Sequence, residues 1–376
     1  MKLTLDPSKG GHVREVFKLL HVKQNIRENN ITINYLVSGS FDNTIKIWDI
    51  SNNFMLKYTF DRKNGGHSAY VYSLASLDNG LLASGSLDST LKVWNLTNGS
   101  LITTFDSSNT GHSSNVYVLV NLKNNCLASG SYDNSIKIWD MNDLRLKFTF
   151  NSVNGGHSSY VFTLLALNND RLVSGSDDLT VKIWDTKNGV LLYTFDKTNG
   201  GHTSYIVSLA TENISGFLAS GSKDGIIKIW NLNDFKLKYT FNETNGGHSA
   251  AAYLYNKPSQ FDGLFISGSQ DSTIKTWSVE NDKVYLKYTF DKTNDGHSSW
   301  VFSLLKHSSN DLISGSGANS IKVWDLNLGH LKYTFDKFNG GHSGLVADLI
   351  EIQDDSSGNN FIASAGYDTK IKIWNV

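Results

Sequence analysis

The sequence predicts an all-β chain built from eight copies of one four-stranded unit. Three observations predict it. A Gly-His pair recurs with its histidine at His12, His67, His112, His157, His202, His248, His297 and His342. Eight of the nine tryptophans follow in register, at Trp48, Trp94, Trp139, Trp184, Trp230, Trp277, Trp324 and Trp374, mostly 45 to 47 residues apart. No segment holds a 3.6-residue apolar period over the ~12 residues that a useful helix needs. Length alone, at 376 residues, would suggest two or three domains of ~150 residues each. A unit this small cannot bury a core by itself and must stack on its neighbours, so the chain reads as one array.

The fourth copy shows how each element arises. Gly156-His157 opens a turn, and Tyr160-Val161-Phe162-Thr163-Leu164-Leu165 is a strand of β-branched and aromatic residues. Asn168-Asn169-Asp170 is a polar turn cluster before a second strand, Arg171–Ser176, which Asp177-Asp178 ends. Val181-Lys182-Ile183-Trp184 alternates as a third strand, although Trp184 shares the Lys182 face. Asn188-Gly189 signals a hairpin into a fourth strand, Leu192-Tyr193-Thr194-Phe195. Four short, evenly spaced strands per ~45 residues is the pattern of a propeller blade.

These residues resemble the WD40-repeat family, whose signature is a Gly-His, a strand, a Ser-Gly-Ser-x-Asp turn and a Trp-Asp ending. The sequence writes it as Gly85-Ser86-Leu87-Asp88 with Trp94-Asn95, and as Gly130-Ser131-Tyr132-Asp133 with Trp139-Asp140. The resemblance covers residues 2 to 376 and implies one eight-bladed β-propeller domain over residues 1–376. The last unit stops after its third strand, at Trp374-Asn375-Val376. Lys2-Leu3-Thr4-Leu5-Asp6 aligns with the fourth-strand segment Lys287–Asp291, so residues 2–6 are expected to complete the blade built by 342–376 and close the ring. Two insertions, His21–Tyr35 and Gln353–Asn360, are expected to be loops.

Composition excludes several functions. Hydrophobic residues at 39% and charged residues at 18% describe a folded chain. With 34 basic and 35 acidic side chains, no field of one sign exists to gather nucleic acid or an anionic membrane. No apolar run approaches the ~18 residues of a membrane span, and the N-terminus is not a secretory signal. The lone Cys126 excludes an internal disulfide framework and a Cys-based zinc site. The expectation is a cytoplasmic monomer without cofactor.

The repeated polar residues look like chemistry. His157, Ser174 and Asp178 would even resemble a hydrolase set, but a triad serine needs an oxyanion hole and an exposed, strained position that nothing suggests. An enzyme also needs one site, and this set is repeated. Histidines ~45 residues apart, one per blade, cannot converge on a metal ion, and no phosphate loop or haem motif is present. Resemblance to the family instead implies a hydrogen-bonded network in each blade: His67, Ser84, Asp88 and Trp94; His112, Ser129, Asp133 and Trp139; His157, Ser174, Asp178 and Trp184; His202, Ser220, Asp224 and Trp230. Two units depart from the repeat. Ala318 replaces the aspartate of the seventh, and Ala250-Ala251-Ala252-Tyr253 replaces the usual Ser-Ser-Tyr-Val-Phe of the sixth.

Variable positions flank the valine after each Gly-His and precede each aspartate. In the family they surround the mouth of the central channel and often contact peptides. They read Phe17, Phe41, Tyr70, Tyr72, Tyr117, Tyr132, Tyr160, Phe162, Tyr205, Tyr253, Trp300, Phe302 and Tyr367, with few charges: Glu15, Asp177 and Lys223. That composition suits an interface core, and it equally suits aromatic packing between blades. The leading expectation is a non-catalytic scaffold for a protein or peptide partner. Alternatives are a glycan-binding propeller, and a sensing module of a signalling or ubiquitin-ligase assembly. For the latter, the adaptor-binding Trp-Asp-x-Arg box is missing, and Trp184-Asp185-Thr186-Lys187 comes nearest.

Overall fold

A computed structural model describes residues 1–26, 31–211, 216–255, 263–307, 310–354 and 359–375. Its strands form eight four-stranded antiparallel sheets, and the only helices among the described residues are single 3-10 turns of three residues. Seven blades run in simple chain order: Val16–Phe60, Val71–Phe105, Val116–Phe150, Val161–Phe195, Ile206–Phe241, Ala252–Phe290 and Val301–Phe335. The eighth has three strands between Val346 and Trp374 and takes its fourth from Leu3–Leu5. Leu3 pairs with Ile373, Thr4 with Lys372 and Leu5 with Ile371, and the Lys2 ammonium lies 3.7 Å from the centre of the Phe361 ring. The N-terminal clasp expected from the alignment is therefore present.

The described chain falls into two compact units. The first comprises residues 1–149 and 342–376, with blades 1, 2, 3 and 8. The second comprises residues 150–341, with blades 4 to 7. Within each unit a blade presses one face on its neighbour, so middle strands are buried on both faces: Val181, Lys182, Ile183 and Trp184 are all buried despite their alternating polarity. The last phenylalanine of one blade stacks on the tryptophan of the next. Phe60 meets Trp94 at 4.3 Å between centroids, and Phe195 meets Trp230 at 4.3 Å. Each such stack contributes about 1 kcal/mol beyond its buried area. The junction of blades 5 and 6 is looser, with Phe241 and Trp277 at 5.8 Å.

One expectation fails. The insertions are not loops but strand extensions: Val16–Ile26 pairs with Ile31–Ser40 as far as Ile26 opposite Ile31, and Val346–Asp354 pairs with Asn359–Gly366. Residues 27–30 and 355–358 of those insertions lie outside the described residues. Burial explains the first extension. Val22, Ile26, Ile33 and Tyr35 alternate onto one face and join the blade 2 core. The Gln24 amide there donates to the Ser76 hydroxyl at 3.0 Å and accepts from the Gly80 N–H at 2.7 Å.

Candidate partner-binding face

Two turns position the side chains of interest. Before seven of the eight histidines, all but His342, an Asp or Asn caps a 3-10 turn. The Asp196 side chain accepts from the Thr198 N–H, and the Asn199 side chain accepts from the Asp196 N–H. The following glycine of the Gly-His pair is structural: a Cβ on Gly156 would run into the Asn151 carbonyl. The residue before it only adopts a left-handed φ, which Thr110 and Asp295 also manage.

The second turn carries the aspartate. Ser176 accepts from the Asp178 N–H and donates to the Ser159 carbonyl. Asp178 accepts from the Thr180 hydroxyl at 2.6 Å, the Ser158 N–H at 3.0 Å and His157 Nδ1 at 2.9 Å. His157 Nε2 lies 2.7 Å from Ser174 Oγ, which also accepts from the Trp184 indole at 2.8 Å. One proton arrangement satisfies the chain: indole to serine, serine to Nε2, Nδ1–H to carboxylate. Burial alone would raise the Asp178 carboxyl, but the hydrogen bond and charge of His157, with Thr180 and Ser158, hold it below the usual carboxylate range. Burial lowers the imidazole in turn, against the pull of Asp178. The same chain joins His67, Ser84, Asp88 and Trp94, and His112, Ser129, Asp133 and Trp139. His12 and His342 head two more.

The fifth blade departs from the expected network. Ser220 bridges His202 and Trp230, at 2.7 and 2.8 Å, but Asp224 does not reach His202. Ser222 and Thr203 hold the Asp224 carboxylate instead, and His202 Nδ1 is buried with no hydrogen-bond partner. Ile226, two residues after the aspartate, offers its carboxylate no hydroxyl, but Lys370 offers none to Asp368 either, and the His342–Asp368 contact is kept at 2.8 Å. Burial and the Lys228 charge push His202 down to about 3. In the seventh blade His297 has Ser320 at 3.1 Å in place of a carboxylate, and burial takes it to about 3 as well. The sixth blade keeps the His248–Asp271 pair at 3.0 Å but leaves the Trp277 indole nitrogen buried and unbonded. Among the described residues no three His, Cys, Asp or Glu gather to hold a metal ion.

The variable positions do come together within each blade. The N–H of the residue before the aspartate donates to the carbonyl of the residue before the valine: Phe41 to Glu15, Leu87 to Tyr70, Asp177 to Tyr160, Lys223 to Tyr205, Gln270 to Ala251, and Gly317 to Trp300. The residue after the valine sits at a β-bulge, as at Phe17, Tyr72, Tyr117, Phe162 and Phe302. Bulges re-aim side chains. Blade 6 has none at this position, since Tyr253 pairs directly with Gly268.

In the first unit all seven candidate aromatics are linked. Phe41 stacks on Tyr70 at 4.4 Å and on Phe17 at 5.4 Å, and Tyr367 meets Phe41 at 5.8 Å. Phe17 meets Tyr72, which meets Tyr117, which stacks on Tyr132. Arg14 covers Tyr70 from 5.0 Å and pairs with Glu15 at 3.5 Å. In the second unit Tyr160, Phe162 and Tyr205 form one run, while Tyr253, Phe302 and Trp300 form another. Trp300 is 48% exposed and Tyr160 43%. Sequence reasoning passed over Gln270, whose amide accepts from Lys223 Nζ at 2.8 Å and donates to the Tyr253 hydroxyl at 3.1 Å. The signal was its position before Asp271.

The family model for the WD domain, G-beta repeat, matches residues 25–49, 56–95, 99–140, 147–185, 189–231, 288–325 and 331–375. The chain belongs to the WD40 family, and its eight blades are those of a β-propeller. The segment left unmatched between 231 and 288 is the blade without the bulge. Among solved structures, a crystal structure of the computationally designed Ika8 protein is similar over 97% of this chain and 98% of that one, at 29% identity and a TM-score of 0.76. A search of curated proteins found no match.

Proposed function

We propose that this propeller is a non-catalytic scaffold that binds a peptide or protein segment through the aromatic side chains at the aspartate-turn end of its blades. One observation carries the reading: Trp300 and Tyr160, both in the second unit, stay 48% and 43% exposed there, although a large apolar side chain gains about 1.5–3 kcal/mol by burial. Aromatic anchors in such settings dominate interface energy. The polar repeats support a structural role, because His157, Ser174 and Asp178 satisfy one another and leave no hydroxyl poised for attack. A cytosolic, monomeric domain suits the single free cysteine, which is buried.

The test is capture from cell extract by the native chain and by Trp300→Ala. Trp300 is the one tryptophan outside the repeat register, so blade architecture does not require it. The expected result is a loss of at least tenfold in captured partner, with an unchanged melting temperature. Intact capture with a lowered melting temperature would assign Trp300 to packing. Selective retention of oligosaccharides on a glycan array, with no protein captured, would replace the peptide reading by the glycan one.

A further inference from the structure

We infer that the second unit recognises a carboxylate on its partner, set beside an apolar or aromatic side chain, with Lys223 as the charge that reads it and Trp300 as the anchor beside it. The inference rests on the peptide-binding reading and names the chemistry of the peptide.

At the position before the aspartate the two units differ in chemistry. In the first unit it is apolar in every blade: Phe41, Leu87, Tyr132 and Tyr367. In the second it is Asp177, Lys223, Gln270 and Gly317. Phe41 of blade 1 lies flat on Tyr70 of blade 2. The equivalent of that pair is Gln270 of blade 6 with Trp300 of blade 7, and Gln270 is drawn instead to Lys223 and the Tyr253 hydroxyl. Gly317 adds no side chain of its own beside Trp300, to whose carbonyl its N–H is bonded. The indole meets the edge of Phe302 at 5.6 Å and is otherwise half open.

Lys223 is the one basic side chain at this register position in the eight blades. Its half-buried ammonium donates to a neutral amide, Gln270, and pairs with no carboxylate among the described residues. The two nearest acids in sequence and register are engaged elsewhere: Asp224 by Ser222 and Thr203, Asp177 by the Ser159 hydroxyl at 2.9 Å. An ammonium has three donors, so two remain for an incoming anion. A carboxylate fits both the charge and the donor count, and the open indole, on the blade after that of Gln270, calls for an apolar companion on the same segment. A basic segment would meet like charge here.

Selection of a random heptapeptide library on the immobilised full chain tests this. The expected winners carry Asp, Glu or a free C-terminal carboxylate beside an aromatic or branched apolar residue, and amidated copies separate side-chain from C-terminal carboxylates. Their affinity should weaken with salt, as a charge contact does, and fall at least tenfold on Lys223→Glu. Changing the peptide acid to lysine should restore binding to that variant. Lys223→Gln, with an unchanged melting temperature, guards against a folding artefact and should lose both affinity and salt dependence. Winners that are neutral or basic but still need Trp300, or acidic winners indifferent to Lys223, would overturn the carboxylate inference alone. A library that yields no Trp300-dependent binder would overturn the peptide reading with it.

Discussion

The four blades of the first unit complete every link from tryptophan to aspartate, whereas the second unit does so only in blade 4. Blade 5 loses the aspartate contact, blade 6 the indole contact and blade 7 the aspartate itself, so three neighbouring blades are imperfect in three different ways. The aromatic positions follow the same division. In the first unit they form one linked set with three stacked pairs; in the second they meet tilted or edge-on in two shorter runs, and the residue before the aspartate is polar or glycine. A region that satisfies its own groups has little left to offer a ligand. The region with relaxed rules is where a partner's groups can be accommodated, and natural proteins violate local rules chiefly at functional sites.

Acid should break the comparison most strongly. The second unit holds His202 and His297 at about 3, against 6.5 for the free imidazole. Protons therefore favour the unfolded chain: stability is whole above pH 6.5 and drains away as pH falls toward 3. At 1.36 kcal/mol per unit the loss is about 5 kcal/mol for each histidine by that limit. Urea midpoints measured from pH 7 to 4 should fall less steeply for Ala318→Asp, which gives His297 a carboxylate. A slope equal to the native one would place the acid sensitivity elsewhere.

Removing residues 1–6 attacks the other unit, whose last blade alone is assembled from distant segments. Leu5 is fully buried and Leu3 partly so, and three residue pairs join the strand to the sheet. Loss of that burial and pairing should lower stability by about 3–4 kcal/mol, visible as a lower melting temperature. An unchanged melt would mean the clasp is dispensable.

Within the second unit, His157→Ala strands Asp178 and Ser174 and should cost about 1–3 kcal/mol. Ala318→Asp should act in the opposite sense, by about 1 kcal/mol at pH 7. Destabilisation by that aspartate would show that blade 7 has repacked around alanine and Ser320.

The smallest effect sharpens the functional side. Phe41→Ala, which removes a ring stacked on two others, should cost about 1–2 kcal/mol of stability with little change in partner capture. Trp300→Ala should stay within about 0.5 kcal/mol and lose capture. The reverse pattern would move the binding face into the first unit.

The spacing of Gly-His and Trp made the blades legible, and the match between Lys2–Asp6 and Lys287–Asp291 made the clasp legible. The first strand extension is legible too, against the expected loop: Val22, Gln24 and Ile26 face Ile33 and Tyr35 with the two-residue period of a strand. Asp224 was harder, because the expected residue is present and nothing beside it shows that its carboxylate turns to Ser222 and Thr203 instead of His202. The bulges left no trace, since Val161-Phe162-Thr163 reads as ordinary strand with or without an extra residue. Which aromatics pack and which stay open depended on the chemistry of a neighbouring blade, and one repeat read alone does not contain it.

The clasp also sets an order of events during synthesis. Leu3–Leu5 and its partners Ile371–Ile373 are separated by 366 to 370 positions. At ~5–20 residues per second, Leu3–Leu5 waits roughly 20 to 70 s for its partner to emerge. Until then every nascent blade has a fourth strand of its own close at hand, while the leucines at the front of the chain have none. Leu3 and Leu5 are open for that interval to chaperones and to chance encounters with other nascent sheet edges.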